Sequence, residues 1–407
     1  MKKLTYRNEL IKQLYFSGTL SCTELSMMME KSLPLITKTL NELISDGFIN
    51  EIGLAPSTGG RRSLMYSLSS DIFYIVTVAM DQFITRIAIV DINNNPVCGI
   101  HKFQLPLENN PDALHRIADI IEQEIQSSGI DRAKIAGIGI GMPGLVDSSE
   151  GINYSFISNQ TNSISKYITE ITQLPVFIDN DSRIIALAEK KFGAAKNCRN
   201  SMVINIGWGI GLGLILNSEL FRGENGFSGE FSHIPIFEND KLCSCGKKGC
   251  LETASSLLVV LDKIRAGLQS GKQSLLQELS ADNNNEKDME AMIEAVLAGD
   301  QFLIGLISEA GYTIGRGVAI LIHLLNPEKI ILTGRGAALG KIWISPIQQA
   351  LNENCIPRLA AGISINISEL GYNAEIIGAA CLVMENLNIP PKSKHKTLNN
   401  DNHLKKI

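Results

Sequence analysis

The chain has 407 residues, 44% of them hydrophobic and 19% charged, with a formal net charge of -5. This length predicts two or three domains, and the apolar content is sufficient for folded cores. The net negative charge excludes a protein that binds polyanions over its whole surface. Residues 1–70 nevertheless carry eight Lys and Arg against six Asp and Glu, so the N-terminal part is the more basic one.

The N-terminus lacks the apolar core of a signal peptide, and no apolar run reaches membrane-spanning length. Five of the eight cysteines are scattered and form no disulfide-like framework. A reducing compartment fits this pattern. We therefore expect a cytoplasmic protein without membrane contact.

The first 30 residues predict two helices. Apolar residues at helical spacing predict the first over residues 5–16. Ser21 followed by Glu24 is a capping-box pattern and predicts the start of the second. This second helix is expected to bury Leu25 and Met28.

A third helix is predicted to begin at Ser32 and to end at the Asp46-Gly47 pair. Two strand-like runs follow, at 48–52 and 64–68, with a polar turn between them. Three helices and a hairpin predict a winged helix-turn-helix domain over residues 1–70.

The predicted third helix would be the recognition helix of this domain. Its polar candidates for contacts with phosphates and base edges are Ser32, Thr37, Lys38 and Asn41. At the hairpin tip, two glycines precede Arg61 and Arg62, and arginine there suits the negative potential of a narrow groove. Operator DNA is the expected partner; a small helical protein-interaction domain is the alternative.

Beyond residue 70, strands and helices alternate. Strand-like runs lie at 73–80, 86–90, 97–103, 135–140, 176–178, 201–206, 212–216 and 330–332. Helical runs lie at 112–127, 184–192, 288–298 and 301–325. This alternation predicts an α/β domain over residues 71–385, with two lobes and a cleft. Residues 386–407 are polar and basic and are predicted to be disordered.

Three cysteines follow one histidine at close spacing: His233, then Cys243, Cys245 and Cys250. Thiolate and imidazole are the ligands that tetrahedral Zn²⁺ prefers. Four ligands without an obvious fifth predict a closed, structural zinc site, and three incidental loop cysteines are the alternative.

Two glutamates, Glu230 and Glu252, flank these residues. A metal loop that holds His233 would also hold both carboxylates. Their oxygens accept hydrogen bonds, so they suit a ligand rich in hydroxyl groups.

The segments 229–233 and 243–252 resemble the signature of the ROK family (repressors, open reading frames and sugar kinases). That signature is G-E-x-G-H followed by C-x-C-G-x-x-G-C-x-E, and Ser232 replaces one glycine here. The chain is most similar to the branch of xylose and N-acetylglucosamine repressors. The resemblance implies a two-lobed, actin-like and ribonuclease-H-like domain of sugar-kinase type.

The resemblance also implies roles for individual residues. It places zinc on His233, Cys243, Cys245 and Cys250, and it places sugar contacts on Glu230, His233 and Glu252. The segment 179–183 resembles the family's E-N-D-A-N motif. Asn180 and Asp181 would then contact the sugar, and Asp181 stands where the kinases keep their catalytic base.

The phosphate-binding loops depart from the kinase pattern. The kinases have a D-x-G-G-T loop, and residues 79–83 at this place contain neither glycine. Side chains at Asp81 and Phe83 would obstruct the backbone approach of a phosphate, and the Asp81 charge would repel it. A second loop keeps four glycines over 207–213, with Trp208 in place of the usual threonine. We therefore expect a protein without kinase activity.

The sequence favours a transcriptional regulator that represses until a sugar or phosphosugar releases it from its operator. Paired half-sites on DNA predict a homodimer or homotetramer. Two alternatives stay open. One is an ATP-dependent sugar kinase with an added DNA-binding module; the other is a regulator whose α/β domain binds another protein.

Overall fold

The structure is a computed structural model that describes residues 2–56, 62–157, 163–237, 240–280 and 284–388. Arg61 at the predicted hairpin tip lies outside these ranges, as does most of the tail that was predicted to be disordered. The chain divides into two compact units. The first comprises Met1–Ile72 and the chain from Leu387, and the second comprises Phe73–Asn386.

The first unit contains the helices and the hairpin that the sequence predicts. One short additional strand precedes the second helix and completes a three-stranded antiparallel sheet in the order β1-β3-β2. The elements are α1 (Lys2–Ser17), β1 (Thr19–Ser21), α2 (Cys22–Met28), α3 (Leu33–Ser45), β2 (Ile49–Leu54) and β3 (Leu64–Leu68).

A capping box begins α2, as the sequence predicts. The Ser21 Oγ accepts a hydrogen bond from the Glu24 N–H at 3.3 Å, and the Glu24 carboxylate accepts one from the Ser21 N–H at 2.7 Å. Leu25 is buried, but the predicted burial of Met28 is wrong, because 48% of this side chain is exposed. Met29, four residues after Leu25, takes the buried position on that face instead.

The second unit begins with a five-stranded sheet in the order β10-β7-β4-β5-β6. A helix on this sheet, α4, buries the apolar face that its periodicity predicts. The elements are β4 (Tyr74–Met80), β5 (Ile84–Val90), β6 (Pro96–Gln104), α4 (Ala113–Ser127), β7 (Ile135–Met142), β8 (Val146–Asp147), β9 (Ile152–Asn153), α5 (Ile164–Thr172) and β10 (Val176–Asn180).

A second five-stranded sheet follows, in the order β13-β12-β11-β14-β15. Its strands are β11 (Ser201–Ile206), β12 (Ile210–Leu216), β13 (Glu219–Phe221), β14 (Lys329–Thr333) and β15 (Ser364–Ile367). The helices are α6 (Asp181–Lys191), α7 (Glu252–Ser255), α8 (Leu257–Gln269), α9 (Asn285–Leu297), α10 (Gln301–Leu325), α11 (Ile344–Asn354), α12 (Pro357–Ala360) and α13 (Ala374–Glu385).

The two sheets have the same plan. Three antiparallel strands come first; a fourth strand pairs in parallel with the first of them, and a fifth pairs in parallel with the fourth. We call the halves built on β4–β10 and β11–β15 the first and second lobes. Ligands of open α/β sheets bind beyond the carboxyl ends of the strands, so a site between the lobes is expected at these ends.

Two helices, α6 and α13, lie between the sheets with very little space. A Cβ at Gly139 of β7 would lie 2.0 Å from the Ala379 carbonyl oxygen of α13, and one at Gly213 of β12 would lie 2.2 Å from the Ala186 Cβ of α6. The two helices also touch each other, since a Cβ at Gly378 would lie 2.1 Å from the Ile184 carbonyl oxygen. Glycine is therefore required at these three positions by packing.

The sequence-based prediction missed ten of the helices and strands of the second unit: α5, α7, α8, α11, α12, α13, β8, β9, β13 and β15. The α13 helix shows why, since almost all of its residues are buried. A helix that is buried all round has no polar face and so no amphipathic period.

Among the described helices, no single one is long and apolar enough to cross a membrane. The pair α9 and α10 meets that test only when the two are counted together, and they are bent by 105°.

Two glycines of α10 provide a matched test of the packing. Gly305 is exposed, and a Cβ added there would have no neighbour within 4 Å among the described residues outside its own turn of helix. By contrast, a Cβ at Gly315 would lie 2.7 Å from the Ala350 Cβ of α11. Gly305→Ala is expected to raise the free energy of unfolding by up to about 1 kcal/mol, because alanine favours a helix. Gly315→Ala is expected to lower it by about 1–3 kcal/mol through overpacking.

Urea denaturation followed by circular dichroism measures both changes. Equal effects of the two substitutions would contradict the close packing of α10 on α11.

Candidate functional site

A cavity of about 1150 Å³ lies between the two lobes. It is bordered by the chain just beyond the carboxyl ends of β7, β10, β11 and β14, as the sheet plan predicts. All five residues that were predicted to bind a sugar line this cavity: Asn180, Asp181, Glu230, His233 and Glu252.

The Asp181 carboxylate is fixed at the N-terminus of α6. Its Oδ1 accepts a hydrogen bond from the Ser182 N–H at 2.7 Å, and its Oδ2 accepts one from the Asn205 amide at 3.3 Å. Burial raises the Asp181 pKa to about 6, and the Glu230 charge contributes in the same direction. The group can therefore accept a hydrogen bond, or a proton, near neutral pH.

Asn205 is a site residue that the sequence-based prediction missed. Its amide also donates to the Ser182 Oγ at 3.1 Å, so it joins the end of β11 to the start of α6. A polar residue within the apolar strand run Ser201–Ile206 was the available signal.

The Asn180 side chain is the N-cap of α6. Its Oδ1 accepts hydrogen bonds from the Ser182 and Arg183 N–H groups, and its Nδ2 donates to the Gly144 carbonyl at 3.1 Å. These contacts hold the loops after β7 and β10 together, in addition to placing the amide at the cavity.

Beneath this loop lies Arg183, whose importance was also missed. Its guanidinium is buried and donates to Asp179 Oδ1 at 2.6 Å, to the Val146 carbonyl at 2.7 Å and to the Gly226 carbonyl. Arg222 donates to the other Asp179 oxygen at 3.1 Å. Three segments that surround the cavity are thereby tied to one buried carboxylate.

The four predicted metal ligands come together in the second lobe. Their ligand atoms all lie within 4.8 Å of one another, and the group could hold a metal ion. His233 Nδ1 lies 3.4 Å from Cys243 Sγ, and Cys245 Sγ lies 3.6 Å from Cys250 Sγ. Tetrahedral bonds of about 2.0–2.3 Å to nitrogen and sulfur require ligand separations of this size.

His233 connects this cluster to the cavity. While Nδ1 faces the thiols, Nε2 lies 3.8 Å from Glu230 Oε2. Burial raises the Glu230 pKa, although His233 opposes this shift. The ring is therefore oriented from one side by the cysteines and presents its other nitrogen beside a cavity carboxylate.

Glu252 lies at the start of α7, directly after the segment that carries the three cysteines, and its side chain reaches the cavity. Its Oε2 lies 3.5 Å from the Ser232 Oγ, the serine that replaces a family glycine. A Cβ at Gly209 would lie 2.6 Å from the same carboxylate oxygen, so glycine at 209 leaves room for Glu252.

The two loops that were compared with kinase phosphate loops are in close contact with other protein groups. Asp81 turns the chain between β4 and β5, accepting hydrogen bonds from the Phe83 and Ile84 N–H groups, and its other oxygen pairs with Arg335. Gly211 is required by packing, since a Cβ there would lie 1.8 Å from the Ser182 Oγ. Gly209, Gly211 and Gly213 thus have a steric explanation that needs no phosphate, whereas a Cβ at Gly207 would make only ordinary contacts.

In the first unit, α3 has two distinct faces. Its buried residues are Ile36, Thr39, Leu40 and Leu43. The predicted DNA contacts of α3 and its N-cap position are all exposed: Ser32, Thr37, Lys38 and Asn41. The Arg62 guanidinium donates to the carbonyl groups of Leu54 and Ala55, so this exposed arginine also supports the end of the hairpin.

Removal of one thiol is expected to abolish metal binding. Cys245→Ser should lose the metal and lower the thermal stability of the second unit, because metal affinity stabilises the folded state. Cys98→Ser is the matched control, since Cys98 is exposed and lies outside the cluster. Atomic emission and thermal unfolding measure the two effects; a metal-free variant of unchanged stability would contradict the prediction.

Comparisons with known proteins agree on one family. A family model described as the ROK family matches residues 80–386. The xylose repressor of Caldicellulosiruptor bescii is 26% identical over 379 residues, 93% of this chain and 94% of the relative. A glucokinase of Halalkalibacterium halodurans is 32% identical over 275 residues, 67% of this chain and 83% of that enzyme.

Among solved structures, a ROK family transcriptional regulator, a homolog of the E. coli MLC protein, is 28% identical with a TM-score of 0.76. The match covers 94% of this chain and 96% of that one. Because the family model spans most of the chain, the chain belongs to the ROK family.

Proposed function

We propose that the protein is a transcriptional repressor whose first unit binds operator DNA and whose second unit binds a sugar or phosphosugar that causes release. The observation that carries this proposal is the turn at Asp81. Its carboxylate pairs with Arg335 where a kinase would need open backbone amides for a phosphate. The Asp81–Arg335 pair supports a site that keeps the residues suited to a sugar without an open loop for a phosphate.

The relatives support the same choice. The xylose repressor matches 93% of this chain, whereas the glucokinase matches 67%. A regulator therefore accounts for more of the chain than a kinase does.

We further propose that Asp181, Asn180, Glu230, His233 and Glu252 contact the sugar. Several carboxylates in one cavity suit a ligand with many hydroxyl donors. Zn²⁺ on His233 and the three cysteines would be a structural ion, since the four protein ligands fill a tetrahedral shell. Its contribution is to hold the His233 ring and the two ends of the loop in place.

The domains are proposed as a winged helix-turn-helix over residues 1–70 and a sugar-binding domain over 71–385. A homodimer or homotetramer would present two DNA-binding units to two half-sites. For a sugar to release the DNA, it must bind one state of the protein more tightly. A hundredfold preference corresponds to about 2.7 kcal/mol.

The test is release of DNA by sugars. A duplex selected by the protein from random sequences is bound, and binding is followed by fluorescence anisotropy during titration with pentoses, hexoses, N-acetylhexosamines and their phosphates. One class is expected to release the duplex. Glu252→Ala should keep the metal and the DNA affinity but lose the response. Failure of every sugar would exclude the inducer model.

A second prediction concerns α3. Lys38→Ala is expected to weaken DNA binding and to reduce the slope of log affinity against log salt by about one, the loss of one phosphate contact. Lys272→Ala is the matched control, since Lys272 is an exposed lysine of the second unit. If the two variants bind DNA equally well, α3 is not the DNA-binding helix.

A sugar kinase is the second candidate, and the observation that favours it is the retained Asp181 with its raised pKa. ADP production with the same sugars would support it, provided that Asp181→Asn abolishes the turnover.

A further inference from the structure

Five side chains stack in series at one side of the cavity. The Phe83 ring meets the Trp208 ring edge-on, with 5.8 Å between centroids. The Arg335 guanidinium lies between two rings, 4.7 Å from the Trp208 centroid and 4.5 Å from that of Tyr372. The Arg86 guanidinium lies on Tyr372 at 3.4 Å. We call Phe83, Trp208, Arg335, Tyr372 and Arg86 the cleft stack.

Carboxylates pair with both arginines of the cleft stack. Arg335 pairs with Asp81 and with Glu286 of α9. Arg86 pairs with Glu375 of α13 at 2.9 Å and donates to the Tyr372 carbonyl at 2.9 Å. Both guanidinium groups are almost fully buried, so these pairs are poorly screened by solvent.

The cleft stack crosses from one lobe to the other. Asp81, Phe83 and Arg86 belong to β5 of the first lobe and the turn before it, whereas Trp208 and Arg335 follow β11 and β14 of the second lobe. The Asp81–Arg335 pair and the Phe83–Trp208 contact therefore join the lobes directly.

The position of Trp208 depends on these neighbours. Its side chain is 4% exposed, and its Nε1 has no hydrogen-bond partner among the residues that the structure describes. Stacking and packing, without a hydrogen bond, therefore hold the ring. Trp208, Arg335 and Tyr372 also line the same cavity as Asp181 and Glu230. A change in the cleft stack would thus alter the distance between the two walls of the sugar site.

We propose that the cleft stack holds the lobes close enough for the effector to contact both walls of the cavity. Asp81 and Arg335 are then positioning residues for effector binding, although they need not touch the effector. This inference rests on the proposed sugar-binding function. It gives Asp81 and Phe83, which were predicted to obstruct a phosphate, a second role in holding the lobes together.

The first test needs no effector. Asp81→Asn keeps an oxygen for the Phe83 and Ile84 N–H groups but removes the charge that faces Arg335. Acrylamide quenching of Trp208 fluorescence is expected to rise about twofold as the lobes separate. Trp208→Phe identifies the contribution of Trp343, the second of the two tryptophans, which is fully buried.

Arg132→Met is the matched control, because Arg132 pairs with Glu122 at 2.5 Å within the first lobe alone. It should leave the quenching unchanged. Quenching that is equal in Asp81→Asn and in the unsubstituted protein would overturn the proposal.

The second test measures affinity for the releasing sugar by calorimetry. Asp81→Asn and Arg335→Met should each weaken binding about tenfold, since the binding-competent arrangement becomes a minor population. The double variant should lose little more than either single variant, because both remove the same contact. If the substitutions only destabilised the fold, they would lower the thermal stability, but the two variants would not show this non-additive loss of sugar affinity.

The outcomes separate the two proposals. Absence of sugar binding in the unsubstituted protein would contradict the proposed function, while the quenching result would still report on the lobes. Sugar binding that is unchanged in both variants would overturn the role of the cleft stack and leave the proposed function intact.

Discussion

The second unit depends on the close packing of α6 between two sheets. Glycines on β12 and α13 remove the side chains that would hold α6 away, and Ile185 and Ala186 then pack against the second sheet. Because the helix cannot move outward, its N-terminus is fixed at the cavity. Asp181 therefore reaches the site as a consequence of helix packing, with its carboxylate held by neighbouring amide groups.

The two sides of the cavity differ in chemistry. On one side, Glu230 and Glu252 stand at the ends of a loop whose middle holds the cysteine cluster. On the other, buried arginines are neutralised by carboxylates and stacked on aromatic rings. Hydroxyl groups suit the first side, and the second offers little free charge to a phosphate. This division is the physical basis of the proposal that the cavity binds a sugar without transferring a phosphoryl group.

Local signals predicted much of the fold. The Ser21–Glu24 capping box and the apolar face of α4 were readable because each depends on residues within one helix. The likeness to a ROK regulator over 94% of the chain confirms the predicted α/β fold. The α13 helix was not readable, since its nearly uniform burial removes the periodicity on which such predictions depend. The prediction for Met28 was wrong because the adjacent Met29 takes the buried position on that face of α2.

The sequence by itself determined the chemical groups of the site: the His and Cys ligands, the glutamates beside them and the Asn180-Asp181 pair. Spacing along the chain was enough for the histidine, the cysteines and the glutamates, because they lie in one local segment, whereas Asn180 and Asp181 were identified through the resemblance to a family motif. Only the tertiary structure decided which distant residues meet them. Asn205 reaches Asp181, Arg183 holds three loops, and Arg335 pairs with Asp81 from 254 residues away. Such contacts arise where strands of two sheets end at one cavity. No local sequence pattern predicts which distant residues will be in contact there.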